Sequence, residues 1–437
     1  MGKSNRSSDR LEQRLAILEG VDLEKLGRQS GFIRRRARKL DLHSFVKSLL
    51  GLAGTGTPTL STVVHGMSLA GHQDYSPQAL AKRVRWRADT FISSVLGAIF
   101  RGRADSLLQQ GHLKSFKRVL IQDSTVVALP DRYASVFPGC VNQTGRSFAQ
   151  LKLQCTLSLD SLSLCDVSLS GFTRNDQSAA GDILDVVRSG DLVMRDLGYF
   201  SLKVMAQLRV RSVHFLSRLK HNTGVYDTES GKSLDLPRLL KKGQRLDQQV
   251  LLGEKRLPAR LVALPVAQAI ADRRRREAYQ HTHGGQPLKD SLYLMDWNLF
   301  VTTVPPEIWS TEVVREVYRL RWTIEIVFKA WKSHLRLTQL NIRSESMLRL
   351  SIMSRLLFCA LTLDLWADLE WRSPVNKHAS VLRVARILSD CAALIACIVF
   401  RCTPAQLLDD LLRTHGFHTP RWNQDAAPQV VPLLWAS

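Results

Sequence analysis

Acidic residues are in short supply in this 437-residue chain: 39 Asp+Glu stand against 61 Lys+Arg, a formal charge of +22. Cysteine is scarce as well. The seven cysteines fall at positions 140, 155, 165, 359, 391, 397 and 402. An odd number without a CxxC pair excludes a disulfide framework and a thiolate zinc site, and reads as buried thiols in a reducing compartment. Long apolar runs are missing too. Cys391 to Phe400 is the longest and follows Asp390, well short of the ~20 residues a bilayer-spanning helix needs. The opening MGKSNRSSDRLEQ has no apolar core of the kind a signal peptide carries. Apolar residues in general are not lacking. At 45% of the chain they exclude a disordered basic tail, and the length allows about two to four domains. The balance predicts a cytoplasmic protein whose partner is a polyanion, nucleic acid ahead of an anionic membrane surface.

The charge is unevenly placed. Residues 1–115 hold 19 Lys+Arg and 9 Asp+Glu. This part reads as helical, with an apolar period in Leu11–Leu18 and a basic run, Arg34-Arg35-Arg36-Ala37-Arg38-Lys39, leading into Phe45–Leu52. After the Gly51–Pro58 loop, Thr59–Leu69 and Pro77–Arg87 read as helix, turn, helix, with Ser76 as cap and Pro77 at the first helical position. Lys82, Arg83 and Arg85 cluster around Trp86 on the second of these. They are candidate DNA contacts, together with Arg34, Arg35 and Arg36. A solvated basic helix is the plainer alternative.

From Ser115 the texture turns to strands. Arg118–Leu129 is β-branched and apolar, and Leu151–Leu159 and Leu162–Ser170 alternate in period two around Asp160-Ser161, a hairpin signal. Ser178–Val187 reads as a helix, Asp191–Asp196 as a strand, Leu202–Val210 as a helix and Val213–Leu219 as a strand. This order is an α/β pattern that begins with an antiparallel meander. Residues 221–300, rich in Lys, Arg, Gly and Gln, interrupt it with strand-like runs at Gln249–Leu252 and Ala259–Leu264. Trp297–Val304 is a strand ending at Pro305-Pro306. A long helix from about Ser310 to Leu335 follows, and apolar-periodic helices (Met347–Leu369, Val381–Phe400) precede a Pro-rich end.

The helix expected over Tyr318–Leu335 carries the most information. At about 100° per residue, Tyr318, Arg321, Glu325 and Lys332 fall within about 60° of arc, apart from an apolar stripe of Leu320, Ile324, Val327, Trp331 and Leu335. A carboxylate between two cations and a phenol is more than a solvated i,i+4 pair predicts. Glu316 lies about 160° away from Tyr318 and is set aside. His281-Thr282-His283 has no ligand partners at zinc spacing, and Arg273–Arg276 reads as a solvated or DNA-backbone run. Asp123 (in Gln122-Asp123-Ser124) and Asp196 (before Leu197-Gly198-Tyr199-Phe200) sit in or at the end of strands. There, a carboxylate often just caps a turn. In adjacent strands of an α/β sheet both could instead project to one edge, where three carboxylates would suit divalent ions.

These residues carry a resemblance. Tyr318, Arg321, Glu325 and Lys332 fit Y-(2)-R-(3)-E-(6)-K, and the chain thereby resembles the insertion sequence four family of bacterial DDE transposases. Asp123 in Asp123-Ser124-Thr125 is similar to the first catalytic Asp of that family, Asp196 to the second, and Glu325 to the Glu. The gaps of 73 and 129 residues agree, the second leaving room for the family's β-strand insertion domain. The resemblance implies an α/β, ribonuclease H-like catalytic core with an inserted β-strand domain and helical N-terminal and C-terminal regions. It implies Asp123, Asp196 and Glu325 holding two Mg²⁺, for which Mn²⁺ can substitute, and Tyr318, Arg321 and Lys332 on phosphates near the cleaved end. It also implies Trp297 stacking on a flipped base and Arg218 as a further phosphate contact.

The expected organisation is a helical DNA-binding domain over 1–114, core over 115–220, insertion over 221–302, core again over 303–340 and a helical dimerisation region over 341–437. The implied activity is metal-dependent cleavage at transposon ends through hairpins, then attack of the 3′-hydroxyl on target DNA. The implied partners are double-stranded DNA (terminal inverted repeats and target) and a second copy of the chain, with no membrane and no small-molecule substrate. The setting is a bacterial cytoplasm, at the nucleoid. Two alternatives remain: a catalytically inactive DNA-binding regulator, and a metal nuclease without strand transfer.

Overall fold

The structure, a computed structural model, describes residues 18, 20–34, 40–54, 59–70, 75–85, 87–101, 111–141, 145, 147–241, 245–281, 289–338, 340, 342, 344–373 and 377–399. Arg35, Arg36 and Trp86, most of the Leu11–Leu18 stretch, Thr282-His283 and the Pro-rich end lie outside the described residues. The chain divides into two compact units. One is drawn from Met1–Asp105, Ser124–Arg174 and Thr323–Ala427, the other from Ser106–Asp123 and Asn175–Trp322.

The second unit is built on a mixed sheet. Its strands are the first half of β1 (Val119–Leu129), then β5 (Leu192–Arg195), β6 (His214–Arg218), β7 (Val225–Asp227), β8 (Leu246–Leu252), β9 (Leu257–Pro265) and β10 (Trp297–Thr302). β1, β5 and β6 run parallel, in register Gln122↔Arg195 and Arg195↔Ser217. α6 (Leu202–Val210) connects β5 to β6, as a parallel pair requires. β10 then pairs antiparallel with β6 and with β9, and β8 and β7 continue the antiparallel ladder. The strands expected at Gln249–Leu252 and Ala259–Leu264 are present and longer than the sequence suggests. Three helices, α7 (Leu236–Lys241), α8 (Gln268–His281) and α9 (Lys289–Leu294), accompany them. α8 has almost no apolar period to betray it. Arg273–Glu277, Gln268–Asp272 and Arg275–Asp272 pairs lace it, and Arg274 ties it to β10 by donating to the Trp297 carbonyl at 3.2 Å and Asn298 Oδ1 at 2.7 Å.

One expected element is absent. Ser178–Val187 forms turns and a short 3-10 segment over Asp182–Asp185 in place of an α-helix. The cause lies in the sheet beneath. Gln122 Nε2 donates to the Ala179 carbonyl at 3.2 Å and Arg195 to the Ala180 carbonyl at 2.9 Å. The Ala179 carbonyl also takes an i→i+3 bond from Asp182 at 3.1 Å, and Leu184 and Val186 repeat that spacing, which gives the tight 3-10 geometry.

The first unit combines helices from both ends of the chain. α1 (Leu23–Gln29), α2 (Leu42–Ala53), α3 (Leu60–Leu69), α4 (Pro77–Val84) and α5 (Ala88–Arg101) belong to it, as do α11 (Trp322–Ser333) from Thr323 onward, α12 (Glu345–Trp371), α13 (Val381–Asp390) and α14 (Ala392–Val399). The anticipated cap is present, Ser76 accepting from Ala79 N at 3.1 Å with Pro77 in the first turn; Thr59 and Thr62 add an unanticipated reciprocal capping box. α12 is long and apolar enough to cross a membrane, yet 94% of its apolar window is buried within the fold, which makes it a core helix. It packs on α2, α5 and α13, and Ser354 Oγ donates to the Leu49 carbonyl at 2.6 Å. Gly54 is required where α2 ends. A Cβ there would lie 2.8 Å from both Ala392 Cβ and Phe358 Cζ. The hairpin of β3 (Ser147–Ser158) and β4 (Ser163–Gly171) forms as expected, Leu162 taking φ 50° in its turn, with β2 (Pro138–Val141) on the other side of β3.

Register between β1 and β5 is guarded by a buried ion pair at their start. Arg118 donates to Asp191 at 3.1 and 2.6 Å, and the Arg188 backbone N–H gives Asp191 a third bond at 2.7 Å. Asp191 is fully buried. Arg118→Ala leaves that carboxylate without its cation, a change that typically costs about 3–5 kcal/mol. We expect the urea midpoint, read by far-UV circular dichroism, to fall accordingly. An unchanged midpoint would contradict a stabilising role for the pair.

Candidate active site

Strand alternation decides what faces what. Gln122 and Arg195 are register partners in β1 and β5, and their side chains meet on one face, with Arg195 Nη1 3.4 Å from Gln122 Oε1. The next residue in each strand direction, Asp123 and Asp196, therefore leaves on the opposite face. The two aspartates emerge side by side just past the paired stretch of the parallel strands, Asp196 at the carboxyl end of β5 and Asp123 within β1, which runs on to Leu129. Both are half-buried. Asp196 has extended backbone (φ −79°, ψ 168°) and opens a 3-10 turn, Leu197–Tyr199, without spending its side chain on capping it.

Two residues following α10 (Thr311–Arg319) or at its end face this pair. Arg321 Nη1 donates to Asp123 Oδ2 at 3.0 Å, with side-chain exposures of 8% and 16%. Tyr318 is 8% exposed, and its hydroxyl lies 3.5 Å from the Arg195 carbonyl. Burial raises the Tyr318 pKa, the Arg321 charge lowers it and Asp196 raises it again, with a net push up to about 12. The phenol is thus a neutral donor at any working pH. The Arg321 guanidinium carbon sits 5.9 Å from the Tyr318 ring centre and 5.8 Å from that of Trp322.

The single helix expected over Tyr318–Leu335 is in fact two. α10 ends at Arg319 and α11 starts at Trp322, with i→i−3 bonds from Leu320 to Val317 and from Arg321 to Tyr318 between them. No Gly or Pro marks this break in the sequence. The tightened turn accompanies the burial of Arg321 against Asp123. Tyr318 and Arg321 thus do not share a helical wheel with Glu325 and Lys332, and the four-residue stripe is corrected to two pairs. Within α11, Glu325 and Lys332 lie seven residues apart and so on one face, both half-buried. The opposite side, Ile324, Val327, Phe328 and Trp331, is buried in the first unit. Partial burial lowers the Lys332 pKa.

The remaining expectations fall as follows. Arg218 ends β6, opposite Phe300, and its charge reaches Tyr318. Trp297 begins β10 opposite Pro265 and is only 6% exposed, so its indole is not presented for stacking. Trp322, 51% exposed beside Arg321, is the indole that is. The sequence signal for it was available, since it lies inside the Tyr318–Lys332 motif on neither its polar nor its apolar stripe. In the first unit Arg34, Lys82 and Arg85 are exposed and Arg83 is half-buried. Among the described residues no three His, Cys, Asp or Glu side chains gather at metal-binding distance. Asp123 and Asp196 by themselves offer adjacent hard oxygen donors, which suits a divalent cation such as Mg²⁺ better than a thiophilic one.

A mixed sheet with two aspartates side by side on neighbouring parallel strands, faced by an arginine and a tyrosine, defines a class: an α/β protein with an acidic site walled by cations. The transposase DDE domain family matches residues 114–363, and the chain belongs to it. It is an enzyme that acts on DNA, of the bacterial insertion-sequence transposases, a family dependent on divalent metal. The transposase for insertion sequence element IS231C of Bacillus thuringiensis subsp. berliner is 30% identical over 339 residues, covering 71% of this chain and 70% of its own. The transposase for IS1151 of Clostridium perfringens is 25% identical over 347 residues (73% and 72%). The putative transposase InsL for IS186A of Escherichia coli K12 is 25% identical over 360 residues (79% and 90%).

The buried phenol gives this site a signature. Because the neutral form is favoured in the fold, Tyr318 contributes stability up to a pH of about 10 that is lost as the pH climbs through about 12. Phenolate absorbance should show a late titration step near 12 that Tyr318→Phe removes, with the earlier steps unchanged. Loss of an early step in its place would refute the burial.

Proposed function

We propose that the chain is a cut-and-paste transposase of the insertion sequence four group, with a ribonuclease H-like core in which Asp123, Asp196 and Glu325 are the catalytic acids. The observation that carries this reading is the register of β1 and β5, which sets Asp123 beside Asp196 with Arg321 held against the first of them. The Y-(2)-R-(3)-E-(6)-K spacing supports Glu325 as the third acid. Two magnesium ions, for which manganese can substitute, would be held by these carboxylates and supply electrostatic stabilisation to an in-line phosphodiester displacement.

The protein's own groups do the rest. Arg321 and Lys332 neutralise phosphate oxygens near the cleaved end, Arg321 as a planar fork and Lys332 as a point charge. The permanently protonated Tyr318 donates a hydrogen bond there, and Arg218 adds a charge at the end of β6. Trp322, the exposed indole, is better disposed than the buried Trp297 to stack on an extruded base. The antiparallel strands and helices over 221–302 are read as the insertion domain. Arg34, Lys82, Arg83 and Arg85, together with Arg35 and Arg36, are read as the end-recognition surface of the N-terminal region 1–114. Residues 341–437 are read as contributing to a homodimer that pairs two transposon ends in the bacterial cytoplasm. The reaction runs as nicking at the end, hairpin formation and reopening, then attack of the 3′-hydroxyl on target DNA.

The test uses purified protein, terminal-repeat DNA and Mg²⁺. Asp123→Asn, Asp196→Asn and Glu325→Gln should each lower cleavage by about 10³-fold or more while duplex binding persists in a mobility-shift assay. Cleavage that survives Glu325→Gln sinks the three-acid assignment. Products that stop at hydrolysis and never join a second duplex point to a nuclease instead.

A further inference from the structure

Beyond Arg218 the cationic wall continues in a direction the motif does not cover. Arg218 ends β6, His221 lies in the exposed turn just after it, and Arg274 reaches in from α8. Two segments thus meet at one corner: Arg218 pairs with Phe300 of β10, the Leu219 backbone N–H donates to the Leu299 carbonyl at 2.9 Å, and Arg274 holds the neighbouring Asn298 side chain at 2.7 Å. The groups sense one another. Burial lowers the Arg274 pKa, and the Arg218 charge lowers it further. Burial likewise lowers that of His221, with added repulsion from Arg218 and then Arg274. Among the described residues, the charges that act on Arg274 besides Arg218 are Arg273, which lowers its pKa further, and Glu277, one helical turn along α8, which raises it.

The corner is also rigid. Arg274 Nη1 donates to the Met295 and Trp297 carbonyls at 3.2 Å each, and Nη2 to Asn298 Oδ1 at 2.7 Å. That fixes the guanidinium plane and leaves its Nε–H and one Nη2 hydrogen outside these three bonds. Like charges held together at a fixed spacing raise the energy of the free protein, and an anion relieves that cost on arrival. Arg218 and Asp196 both act on Tyr318, so the corner is continuous with the acidic site.

We propose that Arg218, His221 and Arg274 form a phosphate-binding corner that takes one backbone phosphate of bound DNA, with His221 protonating as the phosphate enters. The occupant is a phosphodiester because a fork-shaped donor, a second cation and a protonatable imidazole together match the oxygens of a phosphate. The proposal rests on the reading of this chain as a DNA-cleaving transposase and adds to it a proton-coupled contact. The sign follows from linkage. His221 is held below its ordinary value in the free protein, and an adjacent phosphate raises it. Binding therefore takes up a proton, and affinity rises as pH falls through that interval.

Fluorescence anisotropy of the full-length protein with a 5′-labelled duplex oligonucleotide, across pH 5.5–8 and a series of salt concentrations, is the test. Wild type should bind more tightly towards low pH, with uptake of up to about one proton per duplex. His221→Gln, an exposed substitution that does not threaten the fold, should flatten that pH dependence while keeping most of the affinity at pH 8. Arg274→Gln should weaken binding at every pH and lower the slope of log K against log salt by about 1. A His221→Gln protein with the wild-type pH profile, or an Arg274→Gln protein of native circular dichroism with the wild-type salt slope, overturns the proposal. Metal-dependent cleavage by the same preparations separates the two levels. Cleavage intact with unchanged profiles defeats this corner alone, whereas neither binding nor cleavage by wild type defeats the transposase reading beneath it. Inorganic phosphate at matched ionic strength is the competitor. Displacement of duplex that is stronger for wild type than for His221→Gln supports a phosphate-binding corner occupied by DNA, and displacement equal for the two proteins overturns the part given to His221.

Discussion

The pairing of β1 with β5 is the constraint on which the site depends. A slip of one residue would turn Asp123 to the other face of the sheet and leave Asp196 without its neighbour. The side chains immediately before the aspartates guard against this. Gln122 and Arg195, both about 2% exposed, touch each other and grip the Ala179 and Ala180 carbonyls. Burying a guanidinium so deeply is costly: desolvation pushes the Arg195 pKa down to about 10, and its Nη2 lacks a hydrogen-bond partner among the described residues. The cost falls on a residue one position from a proposed catalytic carboxylate, where stability is commonly given up for geometry. At the other end of the same strand pair, Arg118 and Asp191 repeat the device with better satisfied partners.

On the opposite face the logic is electrostatic. Carboxylates set side by side on adjacent strands repel each other, and the fold answers with Arg321 on Asp123 and a neutral phenol beside Asp196. The helix break at Leu320-Arg321 belongs to this answer. A continuous helix would have fixed Arg321 by its place on the wheel, whereas two i→i−3 turns let it follow its carboxylate.

Much of this was legible beforehand, and the parts that were not share a cause. Strand periodicity at 119–129, 151–171 and 192–195 and the α6 helix follow from local patterning, and so does the cap at Ser76. Asp123 and Asp196 could be singled out, but their adjacency is a long-range fact of register. The break inside Tyr318–Leu335, the lost helix at 178–187 and the gained helix at 268–281 all depend on arginines. In each, a guanidinium reaches across the fold to a partner far away in sequence: Asp123, the Ala180 carbonyl, the edge of β10. Residue-by-residue propensity does not contain those partners. The burial of Trp297 was undecidable for the same reason, since an indole at the start of a strand serves as readily for packing as for stacking.

The discontinuity of the first unit has a consequence for how the molecule is made. Helices α1 to α5 leave the ribosome early, yet α12, on which α2, α4 and α5 pack, is encoded more than 240 residues later than the end of α5 at Arg101. At about 5–20 residues per second, those early segments wait on the order of tens of seconds for their partner. During that interval the second unit, whose last strand ends at Thr302, can close first. The apolar faces of α2, α4 and α5 are then the surface most in need of a chaperone, and a chain cut short before Glu345 would leave them without α12 to pack on.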